Sequence, residues 1–264
     1  MRRLAVFFDI DGTLWDEQSY MPESAVSAIR EMREAGHKVL ICSGRSRGYV
    51  FDPRLEEIGF DGYVTSAGAM VEIEGKTLYC RLAPPEHLVS AVNAARAHGY
   101  APMLEGNDCL YMDLGEFIPT AYIDKLCREL GPRMQPLNAT FGHWPDVTKL
   151  SMTARGKPCP DRIVKAVEKD WDVIVHIPEI LELTPKGIDK GTGLRMALNA
   201  LGIRREDCVA FGDSANDLAM FRDSGLKIAM GNGSDALKAQ ADYVTSPLRE
   251  DGILNAWKWL KEQL

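Results

Sequence analysis

The amino-acid sequence predicts an α/β protein: a Rossmann-like core built on a parallel sheet, with an α+β cap domain inserted into it. Three observations predict this. Continuous apolar runs at residues 4–8 (LAVFF), 39–42 (VLIC) and 208–211 (CVAF) have the pattern of strands buried on both faces. Helical periodicity follows or precedes each run, so the local unit is strand, helix, strand, and the sheet it builds is parallel. The stretch 83–183 interrupts this pattern, which then resumes. We therefore assign residues 1–82 and 184–264 to the core and 83–183 to the insert.

The elements follow in order. The first apolar run ends in Asp9-Ile-Asp-Gly-Thr, a polar turn. Residues 22–35 predict a helix: Pro22 suits its start, Ala25, Ile29 and Met32 share a face, and Gly36 suits its stop. The run 39–42 is the next strand. The insert opens with Ala83-Pro84-Pro85, a linker signal. Within it we expect helices at 85–97, 119–130 and 161–169, a hairpin at 108–114, and strands near 150–153, 173–177 and 180–183. Residues 190–201 predict a helix, with Leu194, Ala197, Leu198 and Leu201 at helical spacing and Gly202 closing it. After the strand at 208–211 we expect a short helix from Asp217, a strand at 226–230, a short helix at 234–241, a strand at 242–245, and a last helix from Gly252. Gly231-Asn232-Gly233 reads as a tight turn.

Composition narrows the function. The chain has 264 residues and a formal net charge of −7, the reverse of the basic surplus that nucleic-acid binders carry. We expect no nucleic-acid partner. No apolar stretch approaches the ~18 residues of a membrane span, and the N-terminal run meets Asp9 too early for a signal peptide. We expect no membrane partner and a cytoplasmic location, with a monomer or homodimer as the assembly. Cys42, Cys80, Cys109, Cys127, Cys159 and Cys208 are scattered without a C-x-x-C pair, so a disulfide or zinc framework is not expected. His37, His87, His98, His143 and His176 lack metal-ligand spacing and are read as structural. The five tryptophans are read as packing residues.

Ligands of a parallel sheet bind beyond the carboxyl ends of its strands. Four polar clusters fall there or at a helix start: Asp9/Asp11, Ser43-Gly44-Arg45, Lys190, and residues 213–217. Asp9 and Asp11 are one residue apart, which in extended backbone puts both carboxylates on one side. One is suited to attack phosphorus as a nucleophile, the other to give and take a proton. Gly12 and Thr13 add backbone N–H groups to cradle a phosphate. Ser43 and Gly44 offer a hydroxyl and free N–H groups, although an ordinary strand-to-helix turn has the same look. Arg45 is left as a substrate or surface residue. Lys190 joins a point charge to the positive end of a helix, and Lys186 is its rival upstream. Mg²⁺ prefers hard oxygen ligands; Asp213, Asp9 and the Asp11 carbonyl supply them, and Asp217 and Asn216 are placed to hold its waters or Lys190. Alone, the 213–217 run also reads as a helix cap.

With these residues in hand, the chain resembles the haloacid dehalogenase superfamily, and within it the Cof-type phosphatases. The first motif matches Asp9-Ile-Asp-Gly-Thr, the second Ser43, the third Asp189-Lys190-Gly191, and the fourth Gly212-Asp-Ser-Ala-Asn-Asp. Ile228-Ala-Met-Gly-Asn, Ala241-Asp-Tyr-Val-Thr and Glu250-Asp-Gly-Ile resemble the tail of that group. The resemblance implies Asp9 as nucleophile and Asp11 as general acid and base. It implies Mg²⁺ on Asp9, the Asp11 carbonyl and Asp213, and the phosphoryl group on Ser43 and Lys190. It also implies a mobile α/β cap between the second and third motifs. Two positions depart from the group's pattern: Ala67-Gly68-Ala69 stands where Asn-Gly-Ala is frequent, and Leu248 where an Asn is frequent.

The expected function is Mg²⁺-dependent hydrolysis of a small phosphorylated metabolite, such as a sugar phosphate, through an aspartyl-phosphate. A sugar-phosphate phosphomutase and a non-catalytic metabolite-binding module are the alternatives. The intact set Asp9, Asp11, Ser43, Lys190, Asp213 and Asp217 argues against the second of these, and a dehalogenase has no evident use for Asp11 or a metal. Glu105, Asn107, Lys149, Arg155 and Lys157 are the polar positions of the insert that are candidates to meet substrate.

Overall fold

A computed structural model describes residues 3–137 and 144–264; His143 lies outside the described residues. The chain divides into two compact units. One comprises Met1–Gly44, Asp52–Tyr79 and Asp189–Leu264, the other Arg45–Phe51 and Cys80–Ile188.

The first unit begins with β1 (Ala5–Phe8), α1 (Glu23–Glu34), β2 (Lys38–Cys42), α2 (Pro53–Ile58), β3 (Gly62–Thr65), β4 (Met70–Ile73) and β5 (Lys76–Cys80). Every residue of β1 is buried, as its unbroken apolar run requires. Helix α1 starts after Pro22, buries Ala25, Ala28, Ile29 and Met32, and gives way to Gly36 at φ +87. Strands β3 to β5 are a finding beyond the sequence reading. Strand β4 runs antiparallel to β3 and β5 ends the sheet. Polar and exposed positions break up β5 as they do edge strands, so no continuous apolar run marked it.

Ser66 and Ala67, in the turn between β3 and β4, hold left-handed backbone at φ 51 and φ 52. That conformation is costly for alanine and tolerated by asparagine. The departure Ala67-Gly68-Ala69 thus places the wrong residue type for its backbone. Ala67→Asn should raise stability by about 1 kcal/mol, read as a shifted urea midpoint at unchanged slope.

The second unit holds α3 (Pro85–Ala97), β6 (Tyr100–Gly106), β7 (Leu110–Tyr111), α4 (Ala121–Leu130), β8 (Met134–Gln135), β9 (Val147–Ala154), α5 (Pro160–Val167), β10 (Trp171–Ile177) and β11 (Ile180–Pro185). Among the described residues its strands form one sheet in the order β10-β11-β9-β6-β7-β8. Neighbours are antiparallel except β7 and β8. Helices α3 and α5 cover an apolar cluster that includes Leu88, Val92, Leu104, Leu150, Met152, Ile163, Trp171, Leu181 and Leu183. Strand β6 escaped the sequence reading because Pro102 lies inside it. Strand β7 pairs only with Leu104 and Glu105 of β6, so Pro102 sits past the end of that pairing. The expected hairpin at 108–114 is reduced to the two residues of β7.

The chain then returns to the first unit with α6 (Lys190–Leu201), β12 (Cys208–Gly212), α7 (Leu218–Asp223), β13 (Leu226–Ala229), α8 (Asp235–Lys238), β14 (Tyr243–Val244) and α9 (Gly252–Lys261). The sheet order is β14-β13-β12-β1-β2-β3-β4-β5, parallel from β14 to β3. Phe8 is in register with Phe211 on one side and Ile41 on the other. This register makes β1, β2 and β12 end on one edge, which is where the polar motifs emerge. Helix α6 packs one face of the sheet through Leu194, Ala197 and Leu198. On α1 and α9, Trp257 donates to Glu31 at 2.9 Å. The buried His37 accepts from the Leu4 amide at 3.2 Å and meets Trp257 edge-on, a packing role. Among the described residues no helix is long and apolar enough to cross a membrane.

Candidate active site

Asp9 is the first residue past β1, and its amide donates to Phe211 O at 3.1 Å, so the sheet register fixes where it stands. Its side chain is buried. Lys190 opens α6, whose N-cap Asp189 accepts from the Thr192 amide. The Lys190 ammonium is also buried, 2.8 Å from Asp9 Oδ1 and 2.7 Å from Asp217 Oδ1. The second oxygen of Asp217 accepts from the amides of Asp213 and Ser214 at 2.9 and 3.0 Å. Asp217 is therefore the buried anchor that holds Lys190 and folds the loop carrying Asp213. The rival Lys186 is exposed and pairs with Asp172, both in the second unit.

Asp9, Asp213 and Asp217 offer carboxylate oxygens within 4.8 Å of one another. Burial pushes the Asp9 carboxyl well up; Lys190 opposes this, and Asp217 and Asp213 add to it. Burial and then Asp217 push Asp213 up to about 7. Burial would pull Lys190 down, but Asp217 and Asp9 outweigh it and hold the ammonium strongly protonated. One ammonium thus faces three carboxylates. A divalent cation of hard character fits this donor set, because it balances the surplus charge and takes oxygen ligands. Thr13 Oγ1 donates to Asp213 Oδ1 at 3.0 Å and aims that carboxylate, a contact the sequence reading missed.

The Asp11 side chain stands apart from the three. It is exposed, and its Oδ1 accepts from the indole N–H of Trp15 at 3.1 Å. Trp15 does more than pack: its buried ring carries a donor that holds Asp11. Gly12, at φ +86, brings the backbone against Asp213, and a Cβ there would lie 2.6 Å from the Asp213 carboxylate carbon. Gly12→Ala should therefore displace Asp213 and cut turnover by roughly 10²-fold or more, the scale of a misplacement near 1 Å. Steady-state kinetics beside an unchanged circular dichroism spectrum would check it.

Ser43 is buried just past β2, its amide donating to Val64 O at 2.9 Å, and Gly44 follows half-buried on the same edge. Asn216 is drawn to the Ser214 hydroxyl at 2.8 Å rather than into the carboxylate group. Arg45 lies over the ring of Tyr49, 4.1 Å from its centroid.

Asn232 is a further residue of this site. Its Nδ2 donates to Gly12 O at 2.8 Å, and its Oδ1 accepts from the Leu248 amide at 2.8 Å. The amide ties the first-motif loop to the segment after β14. The flanking glycines marked a turn, and the signal within it was an amide that both donates and accepts. Asn232→Asp removes the donor to Gly12 and should lower kcat/KM about tenfold, while Asn232→Gln should recover little because its amide is displaced by a methylene. A cleft of about 690 Å³ opens here, lined by Asp11, Gly12, Asp213, Asn232, Leu248 and Arg249 among others.

Residues 6–257 match the family described as haloacid dehalogenase-like hydrolase. YkrA of Bacillus subtilis (strain 168) is 28% identical over 257 residues, covering 97% of this chain and 96% of YkrA. The phosphoglycolate phosphatase of Methanothermobacter thermautotrophicus is 26% identical over 257 residues, covering 97% of each chain. A crystal structure of a Geobacillus kaustophilus HTA426 protein superposes with a TM-score of 0.82 at 28% identity, covering 98% of this chain and 99% of that one. The motifs, the register that gathers them and the match along the chain lead to one conclusion: this protein belongs to the haloacid dehalogenase-like hydrolases, in their Cof-type group.

Proposed function

We propose that the first unit is a Mg²⁺-dependent phosphatase centre for a small phosphorylated metabolite, with Asp9 as nucleophile. The observation that carries this is the buried Lys190 ammonium shared between Asp9 and Asp217, with Asp213 beside them. Phosphoryl transfer asks mainly for position and charge compensation, and this group supplies both. Asp9 and Asp213 carboxylates and the Asp11 carbonyl would hold the cation, with Asp217 behind them. Bound there, the cation supplies charge neutralisation for the carboxylates and for the phosphoryl oxygens.

An Asp9 oxygen attacks phosphorus in line with the ester oxygen. The P–O bond to the leaving group breaks, and Asp11 gives that oxygen its proton. The aspartyl-phosphate is then attacked by water, whose proton returns to Asp11, freeing phosphate and Asp9. Lys190 and the Ser43 hydroxyl hold the phosphoryl oxygens with Gly44 beside them, and Asn216 lines the substrate side; the Gly12 amide, expected to cradle phosphate, instead donates to Trp15 O at 2.8 Å and closes the turn after Asp11. The exposure of Asp11 suits a group that must meet both leaving group and water. The insert, 83–183, is the unit that selects substrate. Free thiols at all six cysteines fit a reducing cytoplasm.

The test is phosphate release from p-nitrophenyl phosphate and a panel of metabolite monophosphates. Turnover with Mg²⁺ that is lost in EDTA and restored by added Mg²⁺ is expected. A folded protein that binds Mg²⁺ and turns over nothing would overturn the proposal.

A further inference from the structure

Asp11 is exposed, so the interior does not fix its carboxylate. Two successive turns carry it. In the first, Ile10 O accepts from the amides of Thr13, Leu14 and Trp15, and the Gly12 amide closes on Trp15 O. This brings the Trp15 indole back onto Asp11 Oδ1. The second turn is built on Asp16. Its Oδ1 accepts from the amides of Gln18 and Tyr20 at 2.9 and 3.0 Å, and Ser19 is held at φ 60. A left-handed serine persists only where its surroundings hold it, so this turn calls for a hold from outside.

Arg249 supplies that hold. Its Nε donates to Asp16 Oδ2 at 2.7 Å, and its Nη2 meets the same oxygen and donates to Gln18 Oε1 at 2.8 Å. The guanidinium lies 5.1 Å from the Tyr20 ring centroid. Arg249 stands on a braced segment: the Glu250 amide donates to Pro247 O at 2.8 Å, Ser246 Oγ to Glu250 O at 2.7 Å, and Ser24 Oγ to Asp251 Oδ1 at 2.6 Å. Its neighbour Leu248 is joined through Asn232 to Gly12 O. Adjacent residues, 248 and 249, thus tie down the loop at Gly12 and at Asp16, with the Trp15 turn between the two ties. Arg54 adds a third contact, Nη1 to Ser19 O at 2.8 Å, and lies 5.4 Å from the Trp15 ring centroid.

Exposure decides what the grip is for. The Arg249 side chain is 59% exposed, and ion pairs of that kind add little to folding stability. Its place is in the cleft that holds Asp11. Among the described residues lining that cleft, Asp11, Asp16, Glu17, Asp213 and Glu250 are carboxylates and Arg249 is the cation. Like charges repel one another, and Arg249 fastens the Asp16 turn against that repulsion. We infer that Arg249 is a positioning residue for proton transfer: by holding Asp16 it fixes the Trp15 turn and, through the indole, the Asp11 carboxylate. The inference rests on the phosphatase reading above and assigns a residue to its leaving-group step. A general acid contributes only when it is aimed at the leaving oxygen.

The experiment uses two esters with rings of similar shape, phenyl phosphate and p-nitrophenyl phosphate. Phenolate is the stronger base, so its departure needs the proton more. The ratio kcat/KM reports the steps through P–O cleavage, before water attacks. With the full chain and Mg²⁺, Arg249→Met should lower kcat/KM about tenfold for phenyl phosphate and roughly threefold or less for p-nitrophenyl phosphate, at an unchanged melting temperature. Added to Asp11→Asn, it should cost phenyl phosphate no more than about twofold further, because both changes act on one group. Equal losses on the two esters, a rise in KM alone, or full additivity with Asp11→Asn overturns the inference. A readout independent of turnover is the Trp15 indole N–H, identified in the NMR spectrum by its loss in Trp15→Phe. Its exchange with solvent should be roughly fivefold faster in Arg249→Met. Asp16→Asn weakens the same pair from its other end, should reproduce the pattern, and decides if Arg249→Met does not fold. If neither ester turns over, the phosphatase reading falls separately and the indole decides: unchanged exchange overturns the inference.

Discussion

Asp9→Asn should abolish phosphate release, by on the order of 10⁴-fold or more, because no other group at the site is placed to accept the phosphoryl from the same position. The substitution is nearly isosteric. It keeps an acceptor for Lys190, 2.8 Å away in the native site, and takes one carboxylate out of a group of three. The fold should therefore persist, and the melting temperature in EDTA should hold or rise. Quench-flow with radiolabelled substrate would add a second readout: a phosphoprotein in the native chain and none in the variant. Substantial residual turnover in Asp9→Asn would assign the nucleophile elsewhere.

Lys190→Met should show the opposite balance, with the larger loss in stability. Methionine fills similar volume, but the change strands Asp9 and Asp217, both buried, without their shared cation. Breaking a buried ion pair from one side costs about 3–5 kcal/mol. For a chain of this size that is a fall of roughly 10 °C in the apparent midpoint. Adding Asp217→Asn to Lys190→Met should recover part of the loss, since one of the stranded charges is gone. A double variant no more stable than the single one would show that the cost lies in packing.

These contrasts bear on what the sequence could convey. Asp9, Lys190, Asp213 and Asp217 were legible because each follows a strand or opens a helix of strong pattern, and the register of three parallel strands does the gathering. Strands β4 and β5 were not legible, since an edge hairpin needs no continuous apolar run. Strand β6 was hidden by Pro102, which is tolerated where the strand outruns its neighbour. The orientation of Asp11 was also out of reach. Its one-residue spacing from Asp9 puts the two on one side in extended backbone, but the chain turns at Gly12, and Trp15 takes hold of the carboxylate. The clamp made by Asn232 required two partners far from it in sequence, Gly12 and Leu248, and no local pattern encodes that.

The position of β1 also has a consequence in time. This central strand pairs on one side with β2, made soon after it, and on the other with β12, where Phe8 meets Phe211. Chains are synthesised at about 5–20 residues per second, so the open flank of β1 waits for roughly ten to forty seconds before its partner exists. During that interval Val6, Phe7 and Phe8 form part of an incomplete sheet with an unpaired, apolar edge, the kind of surface that recruits other chains. The insert, whose strands pair among themselves, has everything it needs earlier. Nascent protein should therefore acquire protease resistance in the insert first. The catalytic unit should gain it only after Phe211 has left the ribosome, making this unit the part most dependent on chaperones during synthesis.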